Sequence, residues 1–203
     1  MIDLRRHWQN VHVTGNTYWL TGSNPEYVYD VHHLSDLLKN KDLNITEIGI
    51  GKGDSIKYLA AFNNVIAIDI VPDAFEKIAN CSRTILINDF NIVESNSQDL
   101  ILCHLVIQHC SKDMVRHLIN NSIRCLKKQG IFSFQFAYLP NDCNMIEDHK
   151  KYIEDGLLYF YSLHEIIQIV KEFNGKIDDV FGPIIHKLES NIHWYIVHCK
   201  IEM

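Results

Sequence analysis

The sequence lacks the cysteine spacing of zinc modules and of disulfide-rich folds. Its 6 cysteines form no C-x-x-C pair, and several lie in apolar runs, where a free thiol behaves as a small hydrophobic residue. The 12 histidines are scattered, without H-E-x-x-H or a comparable ligand spacing. We therefore expect neither a zinc module nor a disulfide framework.

Long apolar runs are also absent. No stretch approaches the roughly 18 apolar residues of a membrane span, and the opening MIDLRRHWQN has no apolar run of signal-peptide length. The formal net charge of −6 disfavours a strong electrostatic grip on nucleic acid. These features favour a cytoplasmic protein that acts on neither membranes nor nucleic acid, and they carry no signal for an oligomeric state.

The composition is that of an ordinary globular protein, with 47% hydrophobic and 22% charged residues. A chain of 203 residues without repeats or linkers predicts a single domain. From position 44 onward, short apolar runs alternate with helical patterns, which predicts a parallel sheet covered by helices on both faces. The predicted strands are 45–50, 65–70, 84–87, 100–105, 131–136, 176–181 and 193–201.

Several helix boundaries can be predicted from local signals. Asn24 and Pro25 predict the start of a helix that continues to position 38, and Pro72 opens a helix that ends near position 80. Ser162 and Glu165 form a capping-box sequence before another helix. Gly130 predicts a turn into the fifth strand.

A glycine-rich turn follows the first predicted strand. Glu47 is followed by Gly49, Gly51 and Gly53, and Asp69 closes the second strand 22 residues after Glu47. Glycine adopts backbone conformations that other residues avoid and lets a ligand approach closely. An acid at the second strand's end can bind ribose hydroxyl groups. The pattern predicts a nucleotide-type pocket.

The spacing of the glycines distinguishes two kinds of nucleotide site. A dinucleotide-binding turn, G-x-G-x-x-G, requires a glycine at position 54, where this chain has Asp54. A carboxylate at this helix start would also oppose a bound pyrophosphate. The pattern E-x-G-x-G-x-G resembles the first motif of the class I S-adenosylmethionine-dependent methyltransferases, and the resemblance extends over most of residues 45–201.

This resemblance implies an α/β fold, a Rossmann-like doubly wound sheet of seven mostly parallel strands with an antiparallel last strand. It implies S-adenosylmethionine as cofactor and S-adenosylhomocysteine as product. Asp89 and Phe90 match the place where family members contact adenine, although Asp89 alone would also suit a turn cap. The cofactor residues so implied are Glu47, Gly49, Gly51, Gly53, Asp69, Ile70, Asp89, Phe90 and Cys103.

The exit of the fourth strand faces the reactive methyl group in the resembling family. This chain has His104-Leu105-Val106-Ile107 where nitrogen-directed members often carry Asn-Pro-Pro-Tyr or Asp-Pro-Pro-Tyr. A Glu-x-x-Glu-His metal pattern is matched only at His109. We therefore predict a metal-free transfer, most readily to oxygen, with His104 as the candidate base and His109 as the second. An alternative for His109 is that it orders the loop.

The acceptor is expected to be a small molecule or a glycan. Residues 1–44 are predicted to form a helical segment that serves either as a lid or as a cover for the core. Residues 138–161 are predicted to form an insertion on the substrate side. The candidate substrate residues are Trp19, Gln108, His149, Tyr152 and Tyr159. Two alternatives stay open: an NAD-dependent oxidoreductase, and a domain that binds S-adenosylmethionine without turnover.

Overall fold

The computed structural model describes residues 3–14, 26–76, 78–81, 84–87, 89–140, 150, 153–185 and 192–202. The strands are β1 (Asn44–Ile48), β2 (Asn64–Ile68), β3 (Thr84–Ile87), β4 (Gln98–Cys103), β5 (Leu126–Tyr138), β6 (Gly175–Ile185) and β7 (His193–Ile201). They form one seven-stranded sheet in the order β3-β2-β1-β4-β5-β7-β6. Strands β1 to β5 pair in parallel, whereas β7 is antiparallel to both of its neighbours. The predicted fold class is confirmed.

Helices lie before the sheet and between its strands. They are α1 (Leu4–Thr14), α2 (Glu26–Val31), α3 (Asp54–Leu59), α4 (Pro72–Glu76), α5 (Lys112–Cys125) and α6 (Leu163–Glu172). The capping box predicted for α6 is present, because Ser162 and Glu165 each bind the other's backbone amide. Within the described residues, no helix combines the length and apolar character that crossing a membrane requires.

The two faces of the sheet are packed differently. On β5, the fully buried Phe132, Phe134 and Phe136 alternate with Ser133 and Gln135, as the two-residue period of a strand requires. The three phenylalanines pack into a core with α5 and α6, and burying each contributes about 2–3 kcal/mol. The opposite face places two polar side chains in the middle of the sheet, where hydrogen-bond partners are needed.

The turn predicted at Gly130 is wrong. Helix α5 ends at Cys125 and passes directly into β5, which continues through Gly130. A Cβ atom at this position would lie 2.7 Å from the carbonyl oxygen of Gln98, and the register between β4 and β5 shifts nearby. Gly130 therefore permits a close approach of two strands.

The helix predicted up to position 38 is also wrong beyond Val31. His33 has φ 54°, which a right-handed helix cannot accommodate, and only a short 3₁₀ helix, Leu37–Lys39, follows. Asn24 and Pro25 lie outside the described residues. Helix α4 ends at Glu76 rather than near position 80, and β4 ends at Cys103. Position 104 therefore follows the strand instead of lying within it.

Candidate active site

The glycine turn after β1 is held in backbone conformations that favour glycine. Gly49, Gly51 and Gly53 have φ of 74°, 54° and 73°, where side-chain-bearing residues are strained. A Cβ atom at Gly49 would lie 2.3 Å from Cγ2 of Val106, and one at Gly53 would lie 2.2 Å from Cγ2 of Ile78. Two of the three glycines are thus required by packing within the protein as well as by backbone conformation.

Glu47 presents a carboxylate oxygen that lacks a protein partner. The residue is 4% exposed on β1, and Oε1 accepts a hydrogen bond from Ser55 Oγ at 2.5 Å. Among the described residues, nothing donates to the buried Oε2. Burial raises the pKa of Glu47 to about 7, and the nearby Asp69 adds to this rise. An unpaired buried carboxylate oxygen is costly, so the arrangement fits a cationic ligand group such as the ammonium of S-adenosylmethionine.

Asp69 and Ile70 follow β2, beside the glycine turn. Asp69 is buried, and its Oδ1 accepts a hydrogen bond from the Val71 amide at 2.9 Å. Ile70 is exposed, and its carbonyl oxygen accepts a hydrogen bond from Arg5 Nε at 3.0 Å. The register of β1 and β2 places Glu47 opposite Ala67, so both acids lie at the same end of the sheet.

The two residues implied in adenine binding differ in exposure. Asp89 is exposed, and its Oδ1 accepts from the Asn91 amide at 2.9 Å, which caps the 3₁₀ helix Phe90–Ile92. Phe90 is buried in the same core as Cys103, and burial raises the pKa of the Cys103 thiol well above its usual value. The geometry thus includes the turn cap at Asp89, and an adenine contact by its other oxygen stays a prediction.

The chain turns sharply where it leaves β4. Leu105 has φ 55°, an uncommon and strained conformation for a bulky residue. The turn brings Val106 against Gly49 and leads into the 3₁₀ helix Ile107–His109. Strained backbone of this kind is typical of functional sites, and here it lies directly after His104.

His104 is hydrogen-bonded to a second histidine that the sequence did not single out. Its Nδ1 lies 2.9 Å from Nε2 of His32, and Nδ1 of His32 lies 2.6 Å from Ser133 Oγ. His32 is fully buried. Burial lowers the pKa of His32 well below its usual value, and the neighbouring histidines lower it further, so its ring is neutral at ordinary pH. The three side chains form one continuous hydrogen-bonded row.

His109 is held in a different environment. Its Nδ1 lies 2.7 Å from the carbonyl oxygen of Leu157, so Nδ1 carries the proton and donates it. Nε2 then accepts from Gln108 Nε2 at 3.2 Å. Burial lowers the pKa of His109 to about 4. These contacts connect the β4 exit to the 157–161 segment, where the Tyr159 amide donates to the Gln108 carbonyl at 2.7 Å.

Helix α1 spans the same end of the sheet. Besides the bond from Arg5 to the Ile70 carbonyl, the Gln9 side chain donates to Asp73 at the start of α4. On the other side, the Trp8 ring meets the His109 ring with centroids 4.6 Å apart. The helix therefore contacts both the β2 and the β4 exits.

Further polar groups lie near the end of β5. Gln135 follows Phe134, which pairs with Cys103 of β4, so Gln135 of β5 and His104, directly after β4, are the next residues in register. In the part of the chain that the structure describes, Gln108 Oε1, Gln135 Oε1 and Trp194 Nε1 are buried without hydrogen-bond partners. Such groups are candidates for contacts with a ligand.

The structure brings together only part of the predicted acceptor site. Gln108, Tyr159, His104 and His109 lie around the β4 exit, whereas Trp19, His149 and Tyr152 lie outside the described residues. Sequence reasoning missed four side chains at this end of the sheet: His32, Ser133, Gln135 and Trp194. The available signal was on β5, where serine and glutamine occupy one face of a central strand.

Comparisons with known proteins agree with this geometry. Residues 46–134 match the family described as a methyltransferase domain. No curated protein matches the chain in sequence. The solved structure of the Burkholderia thailandensis 1,6-didemethyltoxoflavin-N1-methyltransferase has a TM-score of 0.75 at 13% identity, covering 98% of this chain and 88% of that one. The Bradyrhizobium japonicum N-methyltransferase NodS has a TM-score of 0.72 at 17% identity, covering 99% and 100%.

A third similar structure is longer than this chain. The Haemonchus contortus phosphoethanolamine N-methyltransferase 2 has a TM-score of 0.75 at 14% identity, and the match covers all of this chain but 61% of that protein. At these identities the likeness shows the fold. The fold, the glycine turn and the buried acids resemble those of S-adenosylmethionine-dependent methyltransferases of the Rossmann-like type. The match to the methyltransferase-domain family spans less than half of the chain, and the solved structures share its fold over nearly all of it.

No group of three or more histidine, cysteine, aspartate or glutamate side chains is arranged to hold a metal ion within the described ranges. The metal-free reaction stays a prediction.

Proposed function

We propose that this enzyme methylates an oxygen atom of a small molecule or glycan, with His104 as the general base. The observation that carries the proposal is the position of His104 directly after β4, where its Nδ1 is bound to His32. This bond fixes the orientation of the imidazole, which suits a ring that takes up the proton of the acceptor.

The residues fit the cofactor that the family uses. Glu47 would hold the ammonium group through Oε2, the atom that lacks a partner among the described residues. Asp69 would bind the ribose hydroxyl groups, while Asp89 and Phe90 would contact adenine. When bound, S-adenosylmethionine supplies an electrophilic methyl group on its sulfonium sulfur. The protein therefore has to align the acceptor and remove its proton, and alignment alone can contribute several kcal/mol.

The polar groups on the acceptor side support an uncharged acceptor. Gln108, Gln135 and Trp194 are neutral and together offer buried acceptor and donor atoms. A hydroxyl group both donates and accepts, so it could satisfy such atoms. Because a hydroxyl group loses a proton on methylation, this acceptor also gives the base at His104 a role.

Transfer to an amine nitrogen is the second candidate. The three solved structures described above are named N-methyltransferases, and an amine that arrives protonated would likewise need a base. Hydroxylated and amine acceptors must therefore be tested side by side. Transfer of a labelled methyl group in a cell extract, followed by mass spectrometry of the product, would identify the acceptor atom.

Substitution tests the role of His104 itself. His104→Ala should leave S-adenosylmethionine affinity nearly unchanged in calorimetry and reduce turnover about 10²-fold or more. His164→Ala is the matched control, because this histidine is exposed on α6. Turnover that survives intact in His104→Ala would contradict the assignment of the base.

A further inference from the structure

His32 is fixed in place by several neighbouring elements. It follows α2, and the Leu34 amide binds the Tyr29 carbonyl at 2.8 Å, closing the turn around it. The carbonyl of His32 accepts a hydrogen bond from His198 Nε2 of β7 at 2.7 Å. Its side chain bridges Ser133 of β5 and His104 after β4. A residue held by contacts with β5, β7 and the segment after β4 is suited to orienting another side chain.

The direction of the hydrogen bonds follows from chemistry once His104 carries a proton. An imidazolium has N–H groups on both nitrogens, so Nδ1 of His104 must then donate to Nε2 of His32. Since the buried His32 is neutral, its only proton lies on Nδ1 and is donated to Ser133 Oγ. Only one arrangement is compatible with the protonated form of His104.

The same arrangement serves the resting enzyme. With the His32 proton on Nδ1, Nε2 of His32 accepts from Nδ1–H of neutral His104, and the lone pair of His104 lies on Nε2. No proton has to be rearranged between the two rings when Nε2 takes up the proton of the acceptor. In the opposite arrangement, His32 would donate to Nδ1 of His104, and His104 would carry its proton on Nε2. A base that acts through Nε2 needs a lone pair on that nitrogen instead.

We propose that His32, backed by Ser133, is a positioning residue that selects the tautomer of His104 with a basic Nε2. It acts as the orienting partner of a base, a role that a carboxylate fills in many catalytic triads. The inference rests on the proposed function of His104 as the base. A neutral orienting group avoids placing a permanent charge in the fully buried position of His32.

The tautomer can be measured without turnover. In protein labelled with ¹⁵N-histidine, nuclear magnetic resonance should show His104 protonated on Nδ1 and unprotonated on Nε2 at neutral pH. Ser133→Ala removes the acceptor for His32 Nδ1–H, so His32 should move its proton to Nε2 and force His104 into the opposite tautomer. The same variant should lose turnover about tenfold or more, with unchanged cofactor affinity.

Substitutions of His32 provide a rescue experiment. His32→Leu removes the acceptor and should lower kcat about tenfold or more, whereas His32→Gln offers a carbonyl oxygen to His104 Nδ1–H and should restore most of it. The matched control is His33→Asn, because this neighbour stacks on Phe181 and asparagine tolerates its positive φ. If the His32 variants unfold, the tautomer of His104 in Ser133→Ala still tests the inference.

The outcomes separate the inference from the proposed function. A wild-type His104 protonated on Nε2, or a tautomer unchanged by Ser133→Ala, overturns the inference. Equal kcat for His32→Leu and His32→Gln overturns it as well. Wild-type turnover in His104→Ala overturns the proposed function instead, whatever the tautomer measurement shows.

Discussion

The edge of the Trp8 ring meets His109, with centroids 4.6 Å apart and an interplanar angle of 70°. Because Arg5 on the same helix binds the carbonyl of Ile70 beyond β2, α1 is attached at both sides of the predicted cofactor site. Trp8 also packs against the hydrophobic core, so a lid and a cover for the core both stay predictions for the amino-terminal segment.

Trp8→Ala should therefore weaken S-adenosylmethionine binding. Loss of the aromatic contact removes about 0.5–1.5 kcal/mol from the docking of α1, so affinity measured by calorimetry should fall by up to about tenfold. Arg6→Ala is the control, since Arg6 is exposed on the same helix. Equal losses in both variants would show that α1 contributes through its general stability and not through Trp8.

The raised pKa of Glu47 predicts a conflict between stability and binding. Its pKa rises from 4.5 to about 7 on folding, so the folded protein binds this proton more tightly than the unfolded chain does. The free energy of unfolding attributable to Glu47 is thus fully present below pH 4.5 and is lost as pH rises through about 7. At about 1.4 kcal/mol per pKa unit, the loss is roughly 3 kcal/mol.

Glu47→Gln should stabilise the protein without cofactor at pH 8, by up to roughly 3 kcal/mol, and should change little at pH 4.5. Urea unfolding at the two pH values measures both effects. The same variant should bind S-adenosylmethionine more weakly, because the amide cannot pair with an ammonium charge. A variant that is destabilised at pH 8 would show that the Glu47 carboxylate is satisfied in the folded protein.

Sequence patterns predicted the sheet because its determinants are local. The β1 turn is visible as three glycines between two acids, and the capping box of Ser162 lies within four residues of chain. The sequence does not indicate the end of the helix after Val31. His33 adopts a positive φ there, and histidine is not a residue type that predicts this conformation. The turn predicted at Gly130 is wrong because glycine is typical both of turns and of places where two strands approach closely.

The histidine row was beyond sequence reasoning for a different reason. His32 is separated by 72 positions from His104 and by 101 from Ser133. These residues meet because the registers of β1, β4 and β5 align their ends, and because α2 carries His32 over the sheet. Without pairing information, His104 could be placed at the β4 exit but its partner could not be named.

The packing of Gly53 predicts a large loss of stability on substitution. Gly53→Ala strains a backbone with φ 73° and also places Cβ 2.2 Å from Ile78 Cγ2. Gly156→Ala is a matched control, since φ is 71° but the nearest atom, the Tyr159 hydroxyl, lies 3.3 Å away. The control should lose about 1–2 kcal/mol from backbone strain alone, and Gly53→Ala should lose more.

Thermal or urea unfolding of the two glycine variants measures the difference. Adding Ile78→Ala to Gly53→Ala removes the clashing methyl group, so the double variant should be less destabilised than the sum of the single variants. Strict additivity would mean that the neighbourhood of Ile78 relaxes freely around the new Cβ atom.

The two carboxylate oxygens of Asp69 have separable tasks. Oδ1 accepts from the Val71 amide at 2.9 Å and holds the turn after β2, while the carboxylate charge would strengthen hydrogen bonds from ribose hydroxyl groups. Asp69→Ala should weaken S-adenosylmethionine binding by roughly 1–3 kcal/mol. Asp69→Asn keeps an oxygen for the Val71 amide but loses the charge, so its affinity should fall between wild type and Asp69→Ala. Calorimetry on folded protein decides the matter: unaltered affinity in Asp69→Ala would show that the ribose is bound elsewhere.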